Sequence, residues 1–190
     1  YGVRRYFVEN ALSWFRDYHV DGLRLDANHA LFDMSPRHFL QELSEETERL
    51  SLCLGRPLYI IAENALSDVR TIRPRHRGGY GLHAQWCEDF HHSMHTLLSG
   101  ERNGYYVDYG QPDHLERSFR QAHVYTGQFS EYRKRFHGIS TEGMRAGQFV
   151  AFMQNHDQVG NRMNGERFSR LVGFEQLKLA AGALFVSPYI

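Results

Sequence analysis

The sequence predicts an α/β fold built on a parallel sheet, and two observations carry that prediction. Helical stretches with apolar residues at spacings of three and four alternate with short apolar segments of strand length, which is the pattern of βα units. Three of the four strand-like segments also end on a carboxylate: Asp26 closes DGLRLD, Glu63 closes YIIAE and Asp157 closes FMQNHD. Pattern alone leaves a doubly wound sheet and a (β/α)8 barrel both open. The sequence contains neither GxGxxG nor GxxxxGK[ST], so the usual nucleotide-phosphate readings have no support.

Taken in order, Val3, Phe7, Ala11, Trp14 and Tyr18 line one face of a first helix ending near His19. VDGLRLD follows as a buried parallel strand. Ser35 and Pro36 read as the N-cap and first residue of a second helix, with Phe39, Leu40, Leu43, Thr47 and Leu50 as its stripe. RPLYIIAE is the second strand, LHAQW the third, and HHSMHTLL a helix closed by Gly100. Asn103-Gly104 and Gln111-Pro112-Asp113 are turn signals, with helical patches near 114–123. QFVAFMQ is the fourth strand, and a single helix runs from Phe168 to Leu184. With no linker or internal repeat, one domain is expected. Tyr1 is not an initiator methionine and ALFVSPYI closes on an apolar run, so a piece of a larger protein is expected.

Twenty-two basic residues balance 22 acidic ones, which gives no electrostatic drive toward nucleic acid or an anionic membrane and suits a neutral, hydroxyl-rich ligand better. No run of about 18 apolar residues is present, so no membrane span is expected. Two cysteines, Cys53 and Cys87, are too few for a disulfide framework and point to a cytoplasmic setting.

Residues two apart on a strand share a face, which places Arg24 beside Asp26. A guanidinium there favours the ionised carboxylate that a nucleophile needs. Glu63 ends the apolar run IIA close to another carboxylate, and both influences raise a carboxyl pKa toward that of a proton donor. The blander reading of any one such acid is a cap for the following helix. His91 and His95 share a helix face, but no HExxH run is present and Cys87 does not complete a metal set, so packing or sugar-side hydrogen bonding is expected. Trp86 reads either as a stacking platform for a sugar ring or as core. Arg73 to Arg77 reads as a solvated loop.

DGLRLDANHA, IIAEN and FMQNHDQVGNR resemble, in order, the nucleophile, acid/base and third-acid segments of the α-amylase family of retaining glycoside hydrolases, separated by 37 and 94 residues. The resemblance implies a partial (β/α)8 barrel, about strands four to seven, with residues 1–190 part of the catalytic barrel domain and the other strands and flanking β domains outside the chain. It implies Asp26 as nucleophile, Glu63 as acid/base and Asp157 as transition-state stabiliser, with Arg24 and His156 orienting nucleophile and sugar. The runs AQWCEDFHHSMHTLL and SGERNGYYVDYG are similar to those of the subfamily whose members release trehalose from malto-oligosyltrehalose. On that match His29 lines the acceptor side, no cofactor is needed, and malto-oligosyltrehalose synthase is the pathway partner; Trp86 and Asp89 are also expected on the substrate side. An α-1,4-glucan branching enzyme and a noncatalytic glucan-binding barrel are the rivals. Half a barrel by itself would leave two sheet edges unpaired, so the chain alone is expected to aggregate and to be inactive.

Overall fold

Helix α1 (Gly2–Asp17) shows how one apolar spacing can serve two faces. Its buried residues are Val8, Ala11, Leu12 and Phe15, whereas Val3, Phe7, Trp14 and Tyr18 of the expected stripe are exposed and only Ala11 is buried. Both sets recur at three and four, so the periodicity identifies a helix without identifying the side that packs. The choice falls to the neighbour, α2 (Phe39–Leu54), against which α1 lies. Arg56 fastens the end of α1, donating to the carbonyls of Phe15 (2.5 Å) and Val20 and to the carboxylate of Asp21 (2.6 Å).

The computed structural model describes residues 1–190, which divide into two compact units, Tyr1–Trp86 and Cys87–Ile190. In the first unit β1 (Gly22–Leu25) pairs in parallel with β2 (Tyr59–Ala62), Gly22 opposite Tyr59 and Leu25 opposite Ala62. β2 pairs in parallel with β3 (Ala84–Cys87), Ile61 opposite Ala84. α2 is the crossover between β1 and β2, and Leu40, Leu43, Ser44 and Thr47 form its buried stripe. It does not begin at Ser35-Pro36 as expected. Asp33 accepts the Phe39 N–H (2.6 Å) and pairs with Arg4 of α1 (2.8 Å), and the His38 ring accepts the Leu40 N–H (3.2 Å), so the first turn forms three residues later. In the Arg73–Arg77 loop, Arg75 pairs with Glu48 of α2. A side chain at Gly79 would meet the Arg73 carbonyl oxygen at 2.0 Å, so that close approach admits only glycine.

In the second unit α3 (Glu88–Ser99) ends on Gly100 at φ 76°. The Gln111-Pro112-Asp113 signal opens a helix, α4 (Pro112–Gln121), with Pro112 in its first turn, in place of the expected turn. A hairpin of β4 (Gln128–Ser130) and β5 (Arg135–His137) has no counterpart in the sequence reading, because three-residue strands with mixed exposure show too little alternation to detect. β6 spans only Phe149–Ala151, followed by α5 (His156–Gly160). Ile190 runs parallel to β6, donating to Phe149 O (3.0 Å) and accepting from Ala151 N (2.8 Å). The expected single helix from 168 to 184 is two, α6 (Phe168–Leu171) and α7 (Phe174–Phe185). Gly173 is extended between them, and its N–H donates to the side chain of Gln176 (2.7 Å), which starts a new helix. Met94, Phe168 and Ala180 form the core that α3, α6 and α7 share.

The two faces of α1 separate in a stability measurement. Phe15→Ala, at a fully buried position, is expected to cost about 3–5 kcal/mol in chemical denaturation. Val3→Ala, 74% exposed, is expected to stay within about 0.5 kcal/mol of the parent chain. A larger loss for Val3→Ala than for Phe15→Ala would mean that α1 packs by the other stripe.

Candidate active site

Asp26 and Glu63 stand immediately after β1 and β2, and the parallel register, with Leu25 opposite Ala62, sets them side by side at the C-terminal end of these strands. Arg24, on β1, joins them. Its Nη1 donates to Asp26 Oδ1 at 2.6 Å and its Nη2 lies 2.6 Å from Glu63 Oε1, so one guanidinium bridges two carboxylates. The Arg24 guanidinium carbon lies 4.7 Å from the centre of the Trp86 ring, a cation–π contact that seats it from β3.

The backbone completes the arrangement. Ala27 is held in the left-handed region at φ 41°, an uncommon state for a residue with a side chain, and its N–H donates to Glu63 Oε2 at 2.7 Å. Asn28 N–H donates to Glu63 O (3.2 Å) and Glu63 N–H to Leu25 O (3.0 Å), so the β1–β2 ladder continues past both strand ends. The two acids differ in exposure: the Asp26 side chain is 76% accessible and that of Glu63 10%. Asp26 therefore presents an open carboxylate, while Glu63 sits deeper, with the Ala27 N–H on one oxygen and the Arg24 guanidinium paired with the other. To the apolar run and neighbouring carboxylate expected around Glu63 the structure adds a guanidinium and an amide N–H, because Arg24 reaches past Asp26.

Around this pair, Asn64 shapes the loop that leaves Glu63. Its side chain donates to Asp68 O and Thr71 Oγ1, both at 3.0 Å, and accepts from Leu66 N–H at 2.9 Å. The IIAEN run carries the signal for this residue, although a satisfied loop asparagine cannot be told from a ligand-binding one in sequence. His29 lies exposed in the turn at Asn28–Ala30, its Nδ1 3.5 Å from the Ala65 N–H. One face of Trp86 is taken by Arg24, which is at odds with an open sugar platform on that side.

In the second unit Asp157 does not close a strand as expected. It lies in the first turn of α5, six residues beyond Ala151, because Asn155 caps that helix by accepting the Asp157 N–H (2.7 Å) while Gln158 accepts the Asn155 N–H (2.8 Å). His156 Nε2 is 3.4 Å from Asp157 Oδ1, and both side chains are exposed. Asp89 requires a correction: it is 3% exposed, and its oxygens accept from Tyr109 O–H (2.7 Å) and Val124 N–H (2.6 Å), so it ties α3 to the 109–124 region and has no open face for sugar.

The histidines of α3 are buried and engaged. The Met153 carbonyl can only accept, so His91 Nδ1 donates to it (2.5 Å) and His91 Nε2 accepts the Tyr106 O–H (2.8 Å). Burial pushes the His91 pKa down to about 3 and that of His92 well below its ordinary value. Burial, with help from Arg133, brings His137 to about 4. His95 Nε2 donates to Glu101 (2.7 Å), which Arg162 holds bidentately at 3.0 and 2.5 Å. The Arg162 hydrogen bonds first, then His95, bring the Glu101 carboxyl to about 2. The Cys87 thiol, pushed up by burial, donates to Ala122 O (3.1 Å).

Two outcomes follow for stability. Tyr109→Phe leaves a buried carboxylate one donor short and is expected to cost about 1–3 kcal/mol in denaturant. Histidines whose folded pKa is depressed bind fewer protons folded than unfolded, so stability is complete above the unfolded value near 6.5 and falls as pH drops below it. For His91 and His137 the loss continues to about 3 and about 4 respectively, and the melting temperature is expected to decline steadily from pH 6.5 to 4. A melting temperature flat across that window would contradict buried neutral imidazoles.

No family model matches the sequence. Among curated proteins, the chain is 47% identical over 98% of its length to malto-oligosyltrehalose trehalohydrolase of Mycobacterium tuberculosis and 42% identical over 99% to that of Saccharolobus solfataricus. It spans about a third of each, 33% and 32%. A 1,4-alpha-glucan branching enzyme of Cellvibrio japonicus is 26% identical over 67% of the chain. Among solved structures, a Salmonella typhimurium protein described as an alpha amylase superposes on the whole chain with a TM-score of 0.91 at 35% identity, the chain covering 32% of it. No helix is long and apolar enough to cross a membrane. From end to end, the chain is homologous to a segment of the malto-oligosyltrehalose trehalohydrolases amounting to about a third of their length.

Proposed function

We propose that this chain carries catalytic machinery for hydrolysing the α-1,4 linkage next to the terminal trehalose unit of malto-oligosyltrehalose, with retention at the anomeric carbon. The observation that carries the reading is the single guanidinium of Arg24 joining Asp26 and Glu63 at neighbouring strand ends. The relatives' shared name supplies the substrate. The strands are read as about the fourth to seventh of a (β/α)8 barrel, residues 1–190 belonging to one catalytic barrel domain, and the likeness to an alpha amylase supports this. Two free thiols support a cytoplasmic setting, in a pathway supplied by malto-oligosyltrehalose synthase.

In this mechanism Glu63 protonates the glycosidic oxygen as Asp26 attacks the anomeric carbon, forming a glycosyl-enzyme and releasing trehalose. Water, deprotonated by Glu63, then breaks the new ester and frees the malto-oligosaccharide. Two carboxyls acting this way are expected about 5–5.5 Å apart in the complex. Asp26 suits attack because it is exposed and Arg24 holds one of its oxygens. Glu63 must free an oxygen to carry its proton, and the shared Arg24 is the contact that this exchange acts on. Asp157 is read as gripping hydroxyls of the distorted sugar, with His156 and His29 on the substrate side.

The branching reading rests on the 26% identical glucan branching enzyme, and one experiment separates the two. The full-length protein carrying this segment is given maltosyltrehalose and amylose separately. Trehalose release is expected, while new α-1,6 branches without trehalose would support transglycosylation. Asp26→Asn and Glu63→Gln are each expected to lower turnover by about 100-fold or more. Wild-type turnover by Asp26→Asn would remove Asp26 as the nucleophile, and no turnover of either substrate by the unaltered full-length protein would leave a noncatalytic glucan-binding barrel as the reading.

A further inference from the structure

Asp157 stands on a five-residue helix, too short to fix its own direction, and both flanks of its segment are fastened to α3 and the loop after it. On the N-terminal flank the Met153 carbonyl accepts from the buried ring of His91. On the C-terminal flank Arg162, five residues beyond Asp157, forms two parallel hydrogen bonds to Glu101. His95, 1% exposed, donates to the same carboxylate and limits how it can turn. These contacts lie within one compact unit.

We infer that the Glu101–Arg162 pair, backed by His95, positions Asp157 for transition-state binding. Both residues are positioning residues that act through Asp157, a proposal that rests on the role read for Asp157 above. Two features of the pair fit the task. A bidentate guanidinium–carboxylate pair fixes orientation as well as distance, which a single contact cannot do. The pair is also partly shielded, at 22% and 26% side-chain exposure, and Glu101 stays ionised throughout the neutral range. A group that binds the transition state more tightly than the ground state loses its effect when displaced by about 1 Å, and the loss falls on kcat.

The test uses the full-length protein with maltosyltrehalose. Glu101→Gln and Arg162→Met are each expected to lower kcat by about 10- to 100-fold with KM changed by less than about threefold. The double variant should be no worse than the weaker single variant, since the two groups work as one unit. Arg162→Lys, which keeps the charge but loses the fork, should recover part of kcat. Single variants within about twofold of wild-type kcat, alongside an Asp157→Asn variant that is severely impaired, would overturn the inference. So would multiplying losses in the double variant, a loss confined to KM, or loss of cooperative melting in all three substitutions including Arg162→Lys, which would assign the pair to the fold. Wild-type turnover by Asp157→Asn would instead remove the role of Asp157 on which the inference stands.

Discussion

The Arg24 guanidinium is the contact around which the first unit's chemistry is organised. It reaches two carboxylates on successive strands and rests against an indole on the third, so β1, β2 and β3 each contribute one side of its seat. A buried carboxylate such as Glu63 is costly to leave uncompensated, and here the partner that offsets the cost also touches the exposed Asp26. Parallel pairing makes this possible: with Leu25 opposite Ala62, the residues after both strands emerge at the same level. A slip by one residue would turn Arg24 to the opposite face and dismantle the cluster.

The second unit relies on buried polarity of another kind. α3 is enclosed on nearly every side, yet it presents Asp89, His91, His92 and His95, residues that a helix of this burial rarely carries. Asp89, His91 and His95 persist because their partners are fixed, tyrosine hydroxyls, backbone groups and a carboxylate that is itself held by arginine, while the His92 ring packs against Tyr105 and Tyr109. A neutral imidazole suits this setting, and His91 donates from one nitrogen and accepts at the other without a buried charge. The result is a hydrogen-bonded polar scaffold whose contacts lead outward to Met153 and Arg162, on either side of Asp157.

Much of this was legible before any coordinates, but unevenly. Strands β1 and β2 announce themselves through an apolar run ended by an acid, and Gly100 stops α3 as its left-handed backbone requires. The hairpin from 128 to 137 was illegible because its strands are too short to alternate. The split at Val172-Gly173 was illegible because Gly173 interrupts an apolar rhythm that continues on both sides. Asp89 shows the sharpest limit. An acid in a motif reads as a ligand for something, and only its burial against Tyr109 and Val124 reveals that the something is the protein itself.

The sequence by itself determined the α/β class, the placement of Asp26 and Glu63 at strand ends and the neighbourly face shared by Arg24 and Asp26. Those follow from local rules, the two-residue period of a strand and the punctuation around it. Tertiary structure decided which face of α1 is buried, that Arg24 is shared with Glu63 and capped by Trp86, and that Asp157 rides a short capped helix rather than a strand. Each of these depends on groups distant in the chain meeting at hydrogen-bonding range, and a one-dimensional pattern holds no record of such meetings.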